Sequence, residues 1–297
     1  MNILKKIIDS KKHEIAEKSK IITIERLKDS QRLYAIRDFK KSLLNNTIDI
    51  IAEIKRKSPS MGDILPNSTP KEIAKAYAAE GAFVYAAARS EGNLKSLCDE
   101  IRADGGNADL IVTDVTEEDS VKNLFNKAGS AHGKIDIAFL NAGGDPYPET
   151  ISDSNVNNWL SVIDLNLSSA FMCSKFAIPH LKNSDGGKII IMGSGMGHNG
   201  SSEASAYSVA KAGVWMLTRV LASELAEFGI SVNEICPGPV KTPGALESWS
   251  KQDNNVSQVG TEWVKESEDV LPLCIFLATQ PAIGPTAQSY SLMRRTS

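Results

Sequence analysis

The chain has 297 residues, 42% hydrophobic and 23% charged, with a formal net charge of −3. This is an ordinary composition that allows one large α/β domain or two small ones around a sizeable core. No apolar run reaches the roughly 18 residues of a membrane span, and the first twenty residues lack the apolar stretch of a secretory signal.

The first sixty residues hold fifteen Lys/Arg against eight Asp/Glu. Ile3, Leu4, Ile7, Ile8 and Ile15 recur among those lysines at helical spacing. The segment therefore reads as the solvated face of an amphipathic helix over 3–18, not as a nucleic-acid site. A second such helix covers about 30–45. IDIIAEI (48–54) is a short β-branched run, the pattern of a buried parallel strand. A polar loop follows, and then Thr69, Pro70 and Glu72 form a capping box that starts a helix ending at Gly81.

From there strand-like runs and helical patterns alternate. The strands are VYAAA (84–88), DLIVT (109–113), IDIAFL (135–140), KIIIM (188–192) and ISVNEIC (230–236). The helices fall at about 91–104, 117–131, 152–181 and 203–228. Such alternation predicts a doubly wound parallel sheet with helices on both faces. IDIIAEI is expected between VYAAA and IDIAFL, because without it the sheet would split into halves with exposed edges. Residues 244–265, polar and irregular with Trp249 and Trp263, suit a lid over a site. Cys98, Cys173, Cys236 and Cys274 lie far apart, as do His13, His132, His180 and His198. No metal-ligand spacing is visible among them, so free thiols in a reducing cytoplasm and no metal are expected.

Tyr207 and Lys211 stand four residues apart on a predicted helix and so share a face. A phenol is a poor base near neutral pH, and a neighbouring ammonium favours its ionised form. Ser194 lies just after the strand KIIIM, at the end where doubly wound folds place their ligands. LNAGG (140–144) and CPGPVKT (236–242) also follow strands directly, where small residues let a flat group approach the backbone.

In this order and spacing the pieces resemble the short-chain dehydrogenase/reductase family over about 83–297. The resemblance implies that Tyr207 exchanges a proton, that Ser194 hydrogen-bonds the reacting oxygen, and that Lys211 lowers the tyrosine pKa and binds the nicotinamide ribose. It implies that Asn166 holds a relay water and that Asp114 and Val115 contact adenine. Asn141, Ala142, Gly143, Pro237, Gly238, Val240 and Thr242 would complete the cofactor contacts. Arg89 stands where a basic residue meets the 2′-phosphate of NADP, so NADP is preferred over NAD. A small carbonyl or alcohol substrate and a homodimer or homotetramer, with no nucleic acid and no membrane, are also implied.

The glycine-rich turn that opens that family is missing; Gly62 is the one glycine before Gly81. In its place IIAEIKRKSPSMGDI and its neighbours resemble the start of indole-3-glycerol-phosphate synthase, a (β/α)₈ barrel, over about 1–82. Glu53 and Lys55 would match active-site residues of that barrel's first strand. The chain thus divides into a helical extension (1–47), a barrel-derived βα unit (48–82) and a dehydrogenase portion (83–297). Three activities are compatible with it: a nicotinamide-dependent oxidoreductase, the synthase, or a non-catalytic chimera with a defective cofactor site.

Overall fold

The computed structural model describes the backbone of residues 49–53, 57–58, 62–63, 69–241, 258–259 and 262–293, and side chains within 71–241 and 262–293. The expected helices over 3–18 and 30–45 lie outside these residues, as does Thr242.

Seven parallel strands form one sheet. They are β1 (Asp49–Glu53), β2 (Phe83–Ala88), β3 (Asn107–Val112), β4 (Ile137–Leu140), β5 (Lys188–Met192), β6 (Ser231–Cys236) and β7 (Ser289–Ser291). Their spatial order is β3-β2-β1-β4-β5-β6-β7. Ile50 of β1 lies beside Val84 of β2 and Ile137 of β4, so IDIIAEI fills the expected central place. The helices are α1 (Thr69–Ala79), α2 (Glu91–Ala103), α3 (Glu118–His132), α4 (Val156–Leu181), α5 (Ser205–Leu225) and α6 (Leu271–Thr279). Within α4, residues Asp164–Ser168 form a π-helical turn.

Side chains alternate across each strand, as the two-residue period requires. On β2, Val84 and Ala86 enter one core while Tyr85 and Ala87 enter the other. The first core lies under α1, α2 and α6. Ile73 and Tyr77 of α1 meet Leu94 and Leu97 of α2 and Leu277 of α6 there. The Tyr77 ring stands edge-on to Phe139 at 6.0 Å, and its hydroxyl donates to the Cys274 carbonyl at 3.2 Å. The second core lies under α3, α4 and α5 and is built around Phe125, Leu181 and Val214. Each such aliphatic or aromatic side chain contributes about 1.5–3 kcal/mol on full burial.

The structure departs from the sequence reading in several local respects. Thr69 is the first helical residue of α1 and not a residue capping it from outside, a one-residue difference typical of helix ends. The helix placed at 152 starts at Val156, because the Asn155 side chain accepts from the amides of Asn157 and Asn158 at 2.9 and 3.3 Å. Helix α6 and strand β7 had no sequence expectation. Inside the segment read as a lid, Gln258–Val259 pairs antiparallel with Glu262–Trp263.

All four cysteines are free and buried. Burial pushes the Cys98 thiol up to about 11 and those of Cys236 and Cys274 up to about 12. Unfolded thiols release their protons near pH 8.5, so above that value the unfolded chain sheds protons the folded chain keeps. Stability therefore falls as pH rises from about 8.5 toward 11–12, by up to about 1.4 kcal/mol per thiol per pH unit. The urea midpoint should be clearly lower at pH 10.5 than at pH 7.5; equal midpoints would contradict this assignment. Among the described residues no helix is long and apolar enough to cross a membrane.

Candidate functional site

Because all seven strands are parallel, their C-terminal ends share one edge of the sheet. Arg89 follows β2, Asp114 and Val115 follow β3, Asn141–Gly144 follow β4, Ser194 follows β5, and Pro237 and Gly238 follow β6. Strand order reverses between β1 and β4, which is where doubly wound sheets open a ligand crevice.

The centre of the site is built on α4 and α5. The π-helical turn brings Asn166 against the backbone that follows β4. Its Nδ2 donates to Gly144 O at 2.8 Å and to Val162 O at 2.9 Å, while its Oδ1 accepts from Gly144 N at 2.9 Å. Val162 O is the carbonyl that an ordinary α-helix would pair with the Asn166 amide, so the side chain takes over the bond that the π turn diverts. Both Nδ2 protons are used. A water held at Asn166 must therefore be received by its main chain or by the remaining lone pair of Oδ1.

Gly143 makes this packing possible, since a Cβ there would stand 2.6 Å from Asn166 Oδ1 and 3.0 Å from Lys211 Nζ. Lys211 is buried and donates to the Met192 carbonyl at 2.8 Å, with its Nζ 5.6 Å from the centre of the Tyr207 ring. The short helix Met196–Asn199 after Ser194 crosses α5 beside Lys211. A Cβ on Gly197 would come within 2.6 Å of the Lys211 backbone. That close approach holds the turn carrying Ser194 against α5, near Tyr207.

Burial pushes the Tyr207 phenol up to about 12, and the nearby Ser194 opposes this. Lys211 was expected to bring that value down; with its ammonium turned to the Met192 carbonyl, desolvation dominates instead. Asp145 was not anticipated. Burial holds its carboxyl above the usual range, the Tyr147 amide bonds it at 3.2 Å, and its charge further opposes ionisation of Tyr207. Its signal in the sequence was only that it follows LNAGG.

At the far end, the Arg89 guanidinium lies 3.9 Å from the Asp114 carboxylate. Asp114 in turn accepts from the amide and hydroxyl of Thr116, at 3.0 and 2.7 Å. Val115 packs into the second core. Gly238 has φ +73, and Val240 is buried and bridges Lys265, so the turn after β6 is pinned.

A nicotinamide dinucleotide fits the two ends of this crevice. Lys211 and Tyr207 on α5 would hold one end of it, and Arg89 supplies a cation for the other at the end of β2. The middle fits less well. Between β1 and α1 runs a connection over 54–68, with Lys57–Ser58 paired to Gly62–Asp63, in place of a tight glycine turn.

Residues 70–253 match the family described as short chain dehydrogenase, and residues 4–88 match indole-3-glycerol phosphate synthase. The two matches overlap on α1 and β2, the elements that both folds share. An uncharacterized oxidoreductase of Bacillus subtilis is 36% identical over 57% of this chain and 62% of its own length. A 3beta-hydroxysteroid dehydrogenase of Mediterraneibacter gnavus is 32% identical over 64% of this chain and 71% of its own. A 3-oxoacyl-[acyl-carrier-protein] reductase of Thermotoga maritima is 30% identical over 71% of this chain and 86% of its own. The chain thus spans under two thirds of the first of these relatives and more of the other two. The crystal structure of a short chain dehydrogenase from Mycobacterium smegmatis has a similar fold, with a TM-score of 0.69 and 22% identity. It covers 84% of this chain and 93% of its own.

Proposed function

Because the chain belongs to the short-chain dehydrogenase family, we propose that it is an NAD(P)-dependent oxidoreductase acting on a small carbonyl or alcohol. The observation that carries this reading is that Ser194, after β5, lies near Tyr207, with Lys211 one turn along α5, all at the C-terminal edge of the sheet. The bound cofactor supplies or accepts the hydride. Ser194 holds the reacting oxygen, Tyr207 gives it a proton, and Lys211 positions the ribose. Asn166 locks the Gly143–Gly144 backbone and offers its main chain to a water that resupplies the proton. Arg89 next to Asp114 favours the 2′-phosphate of NADP, because a guanidinium matches a phosphate bidentately.

Turnover of a panel of ketones, aldehydes and alcohols with NADPH and NADH tests the reading. Reduction that is faster with NADPH is expected; no turnover with either cofactor would leave a non-catalytic chimera. The match over 4–88 raises a second reading, synthase activity, but the described part of that stretch supplies a single βα unit. Complementation of a tryptophan auxotroph separates the two.

We further propose a homodimer or homotetramer through α4 and α5. Leu160 and Phe171 on α4, and Val209, Met216 and Val220 on α5, are large apolar side chains exposed in this single chain. Those on α5 recur at helical spacing and form one stripe. Light scattering at micromolar concentration should give a mass at least twice 32.1 kDa, and Leu160→Glu with Met216→Glu should halve it. A monomeric parent would refute the interface.

A further inference from the structure

We infer that His198, Glu234 and Cys236 form a binding site for one zinc-class divalent cation, beside the loop that carries Ser194. His198 Nε2 lies 3.3 Å from Glu234 Oε2 and 3.6 Å from Cys236 Sγ. All three donor atoms fall within 4.8 Å of one another. Zinc takes imidazole nitrogen at about 2.0–2.1 Å, carboxylate oxygen at about 2.0–2.2 Å and thiolate at about 2.3 Å, in a tetrahedron. Those lengths and a tetrahedral angle require donor separations of about 3.3 Å for nitrogen–oxygen and about 3.6 Å for nitrogen–sulfur. The two separations measured here match them before any ion is added.

Glu234 gives the independent indication. It is fully buried on β6, and its Oε1 has no hydrogen-bond partner. Its ion-pair partner among the described residues is His198. A buried carboxylate is stable when paired, protonated or bound to a metal, and one oxygen left bare costs about 1–3 kcal/mol. A dication on Oε2, Nε2 and Sγ serves all three donors at once, and by taking the carboxylate through both oxygens it would serve Oε1 as well. With Glu234 and Cys236 ionised and His198 neutral, the bound cluster carries no net charge, which suits a buried place.

The surroundings are those of a ligand set held ready. The Ser289 hydroxyl bonds Glu234 Oε2, and the Trp215 ring stands edge-on to His198 at 5.6 Å. Such contacts fix the orientation of ligating side chains. The His198 side chain is 27% exposed, which gives an ion a way in and leaves room for a water as fourth ligand. His198 belongs to the one-turn helix that follows Ser194, so the cation would tie that loop to β6.

The test uses the full chain, stripped with a chelator and dialysed. Zinc is titrated in competition with a chromophoric chelator, and cobalt(II) is added separately to look for a thiolate-to-metal absorption band. One equivalent of zinc with micromolar or tighter affinity, together with the cobalt band, is expected. Cys236→Ser should abolish the band, and Cys236→Ser and His198→Gln should each weaken zinc by about tenfold or more, as loss of one ligand in a small set requires. His198→Gln lies at a part-exposed position, so it decides the matter even if Cys236→Ser does not fold. A parent without stoichiometric zinc, or a His198→Gln variant that binds as the parent does, overturns the assignment.

Discussion

Tyr207→Phe is expected to lower turnover by about 10²–10⁴-fold with the fold intact, the usual contribution of a positioned acid or base. The substitution removes one hydroxyl, and with it at most one hydrogen bond. One such bond is worth about 0.5–1.5 kcal/mol, so the thermal midpoint should move by only a few degrees. Burial also gives the reaction a direction. A phenol held up to about 12 is protonated throughout the neutral range, which is the form that gives a proton to a carbonyl under reduction. Alcohol oxidation needs the phenolate, whose fraction grows tenfold per pH unit below that value. Carbonyl reduction should therefore stay flat with pH where alcohol oxidation climbs. Activity of Tyr207→Phe within a few-fold of the parent would show that another group carries the proton.

The second large effect is expected at the pyrophosphate. Exchanging residues 1–82 for a βα unit with a TGxxxGIG turn should tighten NADPH binding by about two to four orders of magnitude. In an intact relative the amides of that turn and the helix behind it meet the phosphates directly, and glycine is needed because a Cβ would collide. Here residues 54–68 separate β1 from α1. Lys55, Arg56 and Lys57 bring charge to that connection, but charged side chains do not replace the converging backbone amides of a glycine turn. Two charge-assisted hydrogen bonds at about 1.5–3 kcal/mol each account for the expected range. The incoming helix must keep apolar groups in place of Ile73 and Tyr77, which anchor α1 in the first core. Low-micromolar NADPH affinity in the parent, with less than a tenfold gain on exchange, would show that the present connection already makes a working phosphate site.

The parts of this fold that follow a regular period were legible in the sequence. KIIIM is β5 as read, and the central place of IDIIAEI followed from the need to join two half-sheets. The placement of Ser194, Tyr207 and Lys211 at one edge of the sheet was legible because one spacing puts two of them on a helix face and a strand end presents the third. Helix α6 was not, since LPLCIFLAT is apolar at nearly every position and shows no stripe. The π turn in DLNLS depends on a contact between Asn166 and the backbone of Gly144, far away in sequence. His198, Glu234 and Cys236 escaped notice for the same kind of reason. The first sits after β5 and the others on β6, so only the parallel pairing of those strands brings their side chains together.

The central position of β1 also shapes how the chain must fold. It is the first strand of the sheet to leave the ribosome and the one whose partners are both still to come, with Val84 and Ile137 as the neighbours of Ile50. Until β2 and β4 arrive, both of its hydrogen-bonding edges are open, the situation that most readily templates pairing between chains. Parallel pairing across such separations is slow because loop closure precedes any stabilising contact. The wait lasts from Glu53 to Leu140, about 90 residues of synthesis and several seconds at ordinary elongation rates. During that interval the barrel-like segment is the part of the newborn chain most exposed to aggregation and most in need of a chaperone.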